Sequence, residues 1–441
     1  MHLTIVTGGT QGDVQPLVAL GVGLRREGHR VRFATHPHFE TFVRHRGLEF
    51  FSLGGNDPRK VMAAEQRRRP GGGRLGVLWR AFRRPGPSAD ELRPTQEACR
   101  GTDAVIYSPQ SGLASVAAHV AEQLRVPSFA VYLYPTAPTR AFPSPFAPPR
   151  WRFGRAYNLL THVTARQIFG LAARPWVNRW RVESLGLPPL PLKHFLRVVG
   201  DHRVPQLYGF SPSVVSRPAD WKDWQHVTGY WFLDDAEEWT PPAGLTEFLE
   251  RGEPPVYVGF GSMVDPRPEE LSEIVVEALR LTGRRAVVGE GWGGTRCDLA
   301  NVYHVGWVPF GWLLARAAAA VHHAGTGTAA EALRAGCPSV AVPFFGEQRF
   351  WASRLNELGV APPPIPRREL TARRLADAIE AAAGDAALRQ RADRLGARIR
   401  AENGVGDAVG IVTRHLSAGL EAARASLPTA GPREIPTAGA R

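Results

Sequence analysis

Cysteine is scarce in this chain, with three among 441 residues: Cys99, Cys297 and Cys337. They lie far apart, with none of the spacings of a zinc site or a disulfide framework, so a reducing, cytoplasmic compartment is expected. No run of about twenty apolar residues occurs, which leaves nothing to cross a membrane as a helix. The opening MHLTIVTGG lacks the basic stretch and long apolar core of a secretory leader. It reads instead as a buried strand running into a glycine turn. No nucleic-acid recognition motif is present, so nucleic acid is not an expected partner.

What the chain does have is size and apolar content. Its length suggests two domains, and 44% hydrophobic against 22% charged residues is enough for packed cores. The net charge of +13 is unevenly placed: residues 1–215 hold 29 Lys and Arg against 13 Asp and Glu, while residues 216–441 hold 25 against 28. Two readings fit. The basic half meets an anionic partner, with membrane headgroups ahead of nucleic acid, or it reflects an arginine-rich composition with no partner.

Short apolar runs alternate with amphipathic stretches in both halves, the pattern of an α/β fold with parallel sheets. Leu3–Thr7, Val31–Thr35, Glu49–Leu53, Ala104–Tyr107 and Ser128–Tyr132 read as strands, with helices over Pro16–Arg26, His38–Arg46 and Gly112–Leu124. After Pro254 the strands are Val256–Phe260, Arg285–Val288, Val302–Val305, Ala319–His322 and Ser339–Val342. The helices there are Glu269–Leu281, Phe310–Ala317, Thr326–Ala335 and Glu347–Leu358. The expected class is therefore two doubly wound, Rossmann-like domains facing across a cleft. Their expected bounds are 1–215 for the first, 216–245 for a linker and 246–404 for the second. A C-terminal helix over 405–422 packs toward the first domain, and the tail 423–441 is unstructured. Residues 54–103 read as a basic, glycine-rich mobile insertion, and helical pieces near 153–185 interrupt a Pro-, Trp- and Arg-rich stretch.

The chemistry concentrates in VHHAGTGTAAEALRAGCPSVAVPFFGEQRFW, residues 321–351. A strand ending at His322-His323 meets a Gly325-Thr326-Gly327-Thr328 turn that opens a helix. Free backbone N–H groups and the positive helix end at such a turn suit a diphosphate, with the Thr328 hydroxyl and His323 as further donors. Glu331 lies on the same helix, where a carboxylate can accept from ribose hydroxyls. Glu347 and Gln348 follow the next strand, an acid and an amide suited to several sugar hydroxyls, or a plain cap for the next helix. Earlier, Gly8-Gly9-Thr10-Gln11-Gly12-Asp13 follows the first strand without the acidic partner of a dinucleotide site. Asp13 there is either a cleft-facing carboxylate or an N-cap for a helix beginning near Val14 or Gln15.

Together, GGTQGDVQP at Gly8–Pro16, VTGYW at Val227–Trp231, VYVGFGSM at Val256–Met263 and the 321–351 block resemble the family 1 nucleotide-sugar glycosyltransferases. The sterol 3β-glucosyltransferase branch and the glycopeptide-antibiotic transferases are the most similar. The resemblance covers nearly the whole chain and implies a GT-B fold and an inverting, metal-independent transferase with no cofactor beyond its UDP-sugar co-substrate. It implies that Gly12, His323, Gly325, Gly327 and Thr328 meet the diphosphate, with Ser262 reaching it from across the cleft. Glu331 meets the ribose, Glu347 and Gln348 the sugar, and Trp307 and Val308 the nucleobase. Asp13 becomes the catalytic base. Plant members carry glutamine where this chain has Phe310, and most sterol-type relatives carry Asp in place of Glu347.

The acceptor is expected to be a sterol, hopanoid, carotenoid or polyketide, because Tyr132, Tyr134, Phe142 and Phe146 give an apolar, aromatic lining. The tryptophans of 151–180 belong to that surface or to the core. An alternative within the class is a tailoring transferase that uses a dTDP-deoxysugar. A nucleotide-sugar 2-epimerase and a silent lipid-binding protein fit less well, since neither needs Asp13 together with the acceptor region. Asp234-Asp235 lies in linker composition and reads as solvated or as a helix cap, so no metal site is expected. The enzyme is expected in the cytoplasm, with peripheral contact to an anionic membrane.

Overall fold

The computed structural model describes residues 1–55, 86–110, 116–147, 153–192, 194, 204–233, 239–291 and 297–425. The RRRPGGGR stretch, Asp234-Asp235, Trp151 and the tail beyond 425 lie outside the described residues. In chain order the first part runs β1 (His2–Val6), α1 (Gln11–Arg26), β2 (Arg30–Thr35), α2 (Glu40–His45), β3 (Glu49–Ser52) and α3 (Ala89–Ala98). It continues β4 (Ala104–Tyr107), α4 (Ala117–Leu124), β5 (Ser128–Tyr132), α5 (Arg155–Glu183), β6 (Gln206–Tyr208) and β7 (Gln225–Val227). The second part is α6 (Ala243–Glu250), β8 (Val256–Gly259), α7 (Pro268–Thr282), β9 (Ala286–Gly289), β10 (Val302–Val305), α8 (Phe310–Leu314) and β11 (Ala319–His322). It ends with α9 (Thr326–Arg334), β12 (Ser339–Ala341), α10 (Gln348–Glu357), α11 (Ala372–Gly384), α12 (Ala386–Arg400) and α13 (Gly404–Ala425).

The first sheet has the order β3-β2-β1-β4-β5-β6-β7 and the second β10-β9-β8-β11-β12, and every pairing is parallel. Helices cover both faces, so central strands such as Ala104–Tyr107 and Val256–Gly259 are buried at every residue. Such strands read as continuous apolar runs, which is why they stand out in the sequence.

Four expectations change. The first sheet runs past residue 215, because β7 adds to β6 at its edge. The insertion expected over 54–103 contains α3, whose start is fixed by a Ser88–Glu91 capping box. Helix α6 begins inside the segment read as linker. Helix α1 starts at Gln11, not Pro16: Thr10 is its N-cap and Asp13 its third residue, so Pro16 lies within the helix.

Two features join the halves. Phe210 of the first part packs its ring 6.1 Å from Trp351 of the second, in an apolar cluster with Val214 and Leu355. The chain also crosses twice between the sheets, once after β7 and once before α13. There Gly229 and Gly404 lie backbone to backbone: a Cβ added at Gly229 would stand 3.1 Å from the Gly404 Cα. Helix α13 then returns to the first sheet, contributing Ala408, Val409, Val412 and Leu416 to its core.

Candidate active site

Each sheet has one place where the strand order reverses direction: between β1 and β4 in the first, and between β8 and β11 in the second. Ligands of open parallel sheets bind outside the carboxyl ends of the strands at such points. The loops that leave them here open α1 and α9. These two helix N-termini meet, since a Cβ added at Gly327 would come 3.7 Å from the Gly12 Cα. Two positive helix ends therefore border one space, a favourable place for a diphosphate.

On the α9 side the turn is held by a histidine pair. The backbone N–H of Ala324 donates to His322 Nδ1 at 3.1 Å, steadying Ala324 in the left-handed region at φ 59°. Burial, then the neighbouring His323, lower the His322 ring to about 3, and burial lowers His323 to about 4. Both are neutral near pH 7, so the His323 ring offers an anion an N–H and not a charge. Its ring is pressed between Gly261 and Gly325, where side chains at either position would run into it. Its buried Nδ1 has no hydrogen-bond partner. Ser262 follows Gly261 on the loop after β8, half-buried, and Thr328 is half-buried on the first turn of α9. Glu331 faces Gly311 of α8, with its Oε2 3.6 Å from where a Cβ would stand there.

Two of the expected donor residues, Gln348 and Val308, are buried. The Gln348 side chain is buried, accepting from the Phe344 and Phe345 N–H groups at 2.9 and 3.3 Å and pointing Nε2 at Met263 Sδ. Its amide oxygen shapes the loop that carries Glu347. Val308 is a core residue beside Leu313 and Tyr257, whereas Trp307 is 62% exposed and is the residue of that pair free to stack on a base.

Across the space, Asp13 Oδ2 accepts from the Thr10 N–H at 2.8 Å and the Thr10 hydroxyl at 3.1 Å. Burial raises its pKa, while the Thr10 bonds and His36 draw it down. Burial also pushes the Glu347 carboxyl up to about 7; its own backbone N–H opposes this and the Asp13 charge adds to it. The Tyr134 hydroxyl is raised by burial and then by Glu347 and Asp13. Asp13, Glu347 and Tyr134 thus share one buried electrostatic environment. Among the other expected acceptor residues, Phe146 lies 6.0 Å from the Tyr134 ring and Phe142 lies 5.8 Å from Phe350. Tyr132 instead stacks on Tyr208 at 5.1 Å in the core.

Two neighbours of Asp13's loop were not among the expected site residues. His36 follows β2, with Nδ1 3.2 Å from the Gly54 carbonyl and Nε2 against Gly8. Gln110 follows β4, accepts from the Leu133 N–H at 3.1 Å, and has a buried Nε2 without a partner. The available signal was position: both stand at carboxyl ends of strands flanking β1. Among the described residues no three His, Cys, Asp or Glu side chains gather as a metal site requires.

Comparison with known proteins agrees with this geometry. Residues 3–143 match the glycosyltransferase family 28 N-terminal domain, and residues 295–411 match the erythromycin biosynthesis protein CIII-like C-terminal domain. A sterol 3-beta-glucosyltransferase of Pichia angusta is 38% identical over 421 residues, 92% of this chain and 33% of that protein. The chain carries these two glycosyltransferase domains in a GT-B fold.

A second sterol 3-beta-glucosyltransferase, from Cryptococcus neoformans var. neoformans serotype D, is 38% identical over 94% of this chain and 27% of its own length. The chain thus spans a third or less of the length of these relatives. In fold it is similar to the calicheamicin glycosyltransferase CalG4, with a TM-score of 0.65 and 20% identity over 94% of this chain and 98% of that one. It is equally similar to the glycosyltransferase VinC, solved with dTDP, with a TM-score of 0.65 and 19% identity over 95% and 100%. The two parallel sheets are those of the GT-B fold.

Proposed function

We propose that this chain transfers a hexose, glucose from UDP-glucose first of all, to a hydroxyl of a lipophilic acceptor with inversion and without a metal. The observation that carries the reading is the meeting of the α1 and α9 N-termini at Gly12 and Gly327, with the buried Asp13 carboxyl on the first turn of α1. Relatedness to sterol 3-beta-glucosyltransferases over nearly the whole chain supports a sterol-like acceptor. The first part, with Tyr134 and Phe146, holds the acceptor; the second part holds the donor. The excess of arginine in the first part suits contact with an anionic membrane that stores such acceptors.

In this mechanism the acceptor hydroxyl donates to Asp13. As its oxygen bonds to the anomeric carbon, the carboxylate takes the proton. The bond from that carbon to the diphosphate oxygen breaks with its electron pair leaving on the diphosphate. The α1 and α9 N-termini and the His323 N–H stabilise the growing charge without needing to reorient. Attack from the face opposite the leaving group inverts the anomeric carbon.

Melting with matched UDP, UDP-glucose, dTDP and dTDP-glucose tests the donor. A ligand at about 100 times its dissociation constant adds about 2.7 kcal/mol to the folded state. Stabilisation by the uridine nucleotides is expected. Stabilisation by thymidine nucleotides alone would favour a natural-product tailoring transferase using a dTDP-deoxysugar, and no shift with any would remove the donor site. Turnover should be unchanged by EDTA; loss with EDTA and recovery with magnesium would overturn the metal-free mechanism.

Glu347 should impose a pH dependence on donor binding. Between the ordinary 4.5 and about 7 the folded chain keeps a proton that the unfolded chain loses, so stability falls as pH rises through that window. Donor affinity moves the other way, because the ionised carboxylate is the better acceptor for sugar hydroxyls. Calorimetric titration of UDP-glucose against pH should show affinity rising with a midpoint near 7, and Glu347→Gln should abolish the step. An unchanged step in that variant would take Glu347 out of the sugar site.

A further inference from the structure

We infer that His36 is the proton outlet of the transferase site: through a water, its Nε2 takes the proton that Asp13 removes from the acceptor hydroxyl and passes it to solvent. The role rests on the reading of Asp13 as general base, since a proton taken there must leave before the next turnover. Strand β2 runs beside β1 in parallel register with Val6 opposite Ala34, and two residues further on the same register sets Gly8 beside His36. A Cβ added at Gly8 would stand 3.0 Å from the His36 Nε2, and one added at Gly9 would run into Asp13 Oδ2. The imidazole and the carboxylate therefore flank the Gly8-Gly9 peptide. Gly9 lies in the left-handed region at φ 104°, which favours glycine by itself, whereas Gly8 does not. The missing side chain at Gly8 is accounted for by the histidine against it.

The ring is set to take a proton at Nε2. Its Nδ1 lies 3.2 Å from the Gly54 carbonyl, which can only accept, so Nδ1 carries the hydrogen and the neutral ring keeps its lone pair on Nε2. Among the described residues nothing bonds to Nε2, and the half-buried ring leaves that atom open to water. On the other side of the peptide, the Thr10 N–H and hydroxyl occupy Asp13 Oδ2, which leaves Oδ1 for the acceptor and for water. Burial raises the Asp13 carboxyl while the Thr10 bonds, and then the His36 charge, draw it down, so the two groups are within electrostatic reach. In the step, the acceptor proton passes to Oδ1 as the glycosidic bond forms. The carboxyl gives it to the intervening water, the water gives one of its own to Nε2, and the imidazolium releases a proton to solvent. Carboxylate and neutral ring are then restored. His36 acts through Asp13 and touches neither substrate in this role.

The test is His36→Asn in the full chain, whose amide N–H can keep the bond to the Gly54 carbonyl while no basic nitrogen remains toward Gly8. The KM values for UDP-glucose and acceptor should stay within about twofold of wild type, and kcat at neutral pH should fall by about tenfold or more. Added imidazole should restore much of that kcat and leave the wild type unchanged, a response that a merely structural histidine would not give. The acid limb of kcat/KM should move to higher pH, because a cation that favours the Asp13 carboxylate is gone. The other groups that share the environment of Asp13, namely Thr10, Glu347 and Tyr134, and His38, which stacks on His36 at 5.8 Å, are unchanged in the variant. If His36→Asn melts early, His36→Gln is judged by the same rescue. An unchanged kcat, or a fall that imidazole does not restore, would overturn the inference. Combined with Asp13→Asn, His36→Asn should cost no further turnover, since no proton reaches it. Full turnover in Asp13→Asn alone would remove the base reading itself, whereas loss there with no effect of His36→Asn would remove only the outlet.

Discussion

Asp13→Asn should lower turnover by about 100- to 10,000-fold, the span attributed to a positioned general base, with donor affinity at neutral pH kept within about threefold. Asparagine is the informative replacement. Its amide oxygen can still accept from the Thr10 N–H and hydroxyl, the two bonds that open α1. It cannot take a proton. Alanine would remove the cap as well and cost about 1 kcal/mol of helix stability, mixing folding with chemistry. A second signature belongs to the same variant. Asp13 is one of the influences that hold the Glu347 carboxyl high, so the pH midpoint of donor binding should move down in Asp13→Asn. Near-wild-type turnover would end the assignment of Asp13 as base. A collapse of donor binding would show that Asp13 holds the donor and not the acceptor.

Gly404→Ala should destabilise the protein by about 1–3 kcal/mol, the usual cost of forcing an atom into packed space. The added Cβ would lie 2.8 Å from the Gly229 carbonyl carbon and 3.0 Å from its oxygen, and would also meet the Tyr230 carbonyl oxygen. All of these are backbone atoms of the other crossing, so no flexible side chain can yield. Gly384→Ala is the control, since nothing stands within 4 Å of a Cβ there. Thermal melting should fall by several degrees in the first variant and stay level or rise in the second. Because both crossings are involved, the clash should also alter the approach of the two sheets, seen as weaker donor binding at temperatures where the fold is intact. Equal melting of the two variants would mean that the crossings slide apart without cost.

How much of this was legible depended on what kind of information each feature carries. The central strands were plain because burial on both faces turns them into unbroken apolar runs, and Ala104–Tyr107, Ser128–Tyr132, Val302–Val305 and Ala319–His322 coincide with the expected limits. Strands β6 and β7 were not, because three residues, two of them polar in β7, are too few for a period to show. Helices α11 and α12 are absent from the elements read from sequence, although Thr371 and Asp385 cap them with side-chain bonds. The glycine turn that opens α9 was legible because it is local: strand, glycines and helix start are consecutive. Which way a motif side chain points is not local. Gln348 turns inward because the Phe344 and Phe345 N–H groups need an acceptor, and Val308 because its neighbours are core. His36 and Gln110 reach the site only through strand order, which no single stretch of sequence records.

The return of α13 has a consequence for how the chain is made. The core of the first sheet includes Ala408, Val409, Val412 and Leu416, while the last strand of that sheet ends at Val227. A ribosome working at about 5–20 residues per second delivers the closing helix about 10–40 seconds after the last strand. Throughout that interval the first half has its strands but lacks part of its interior, and α1 keeps bare the side that Val405 and Val409 later cover at Gly23. The second sheet, begun later, has the described residues of its core in hand by Ile399. The half synthesised first is therefore the half whose packing is finished last, and the nascent chain must shelter an incomplete sheet while its neighbour is already closed.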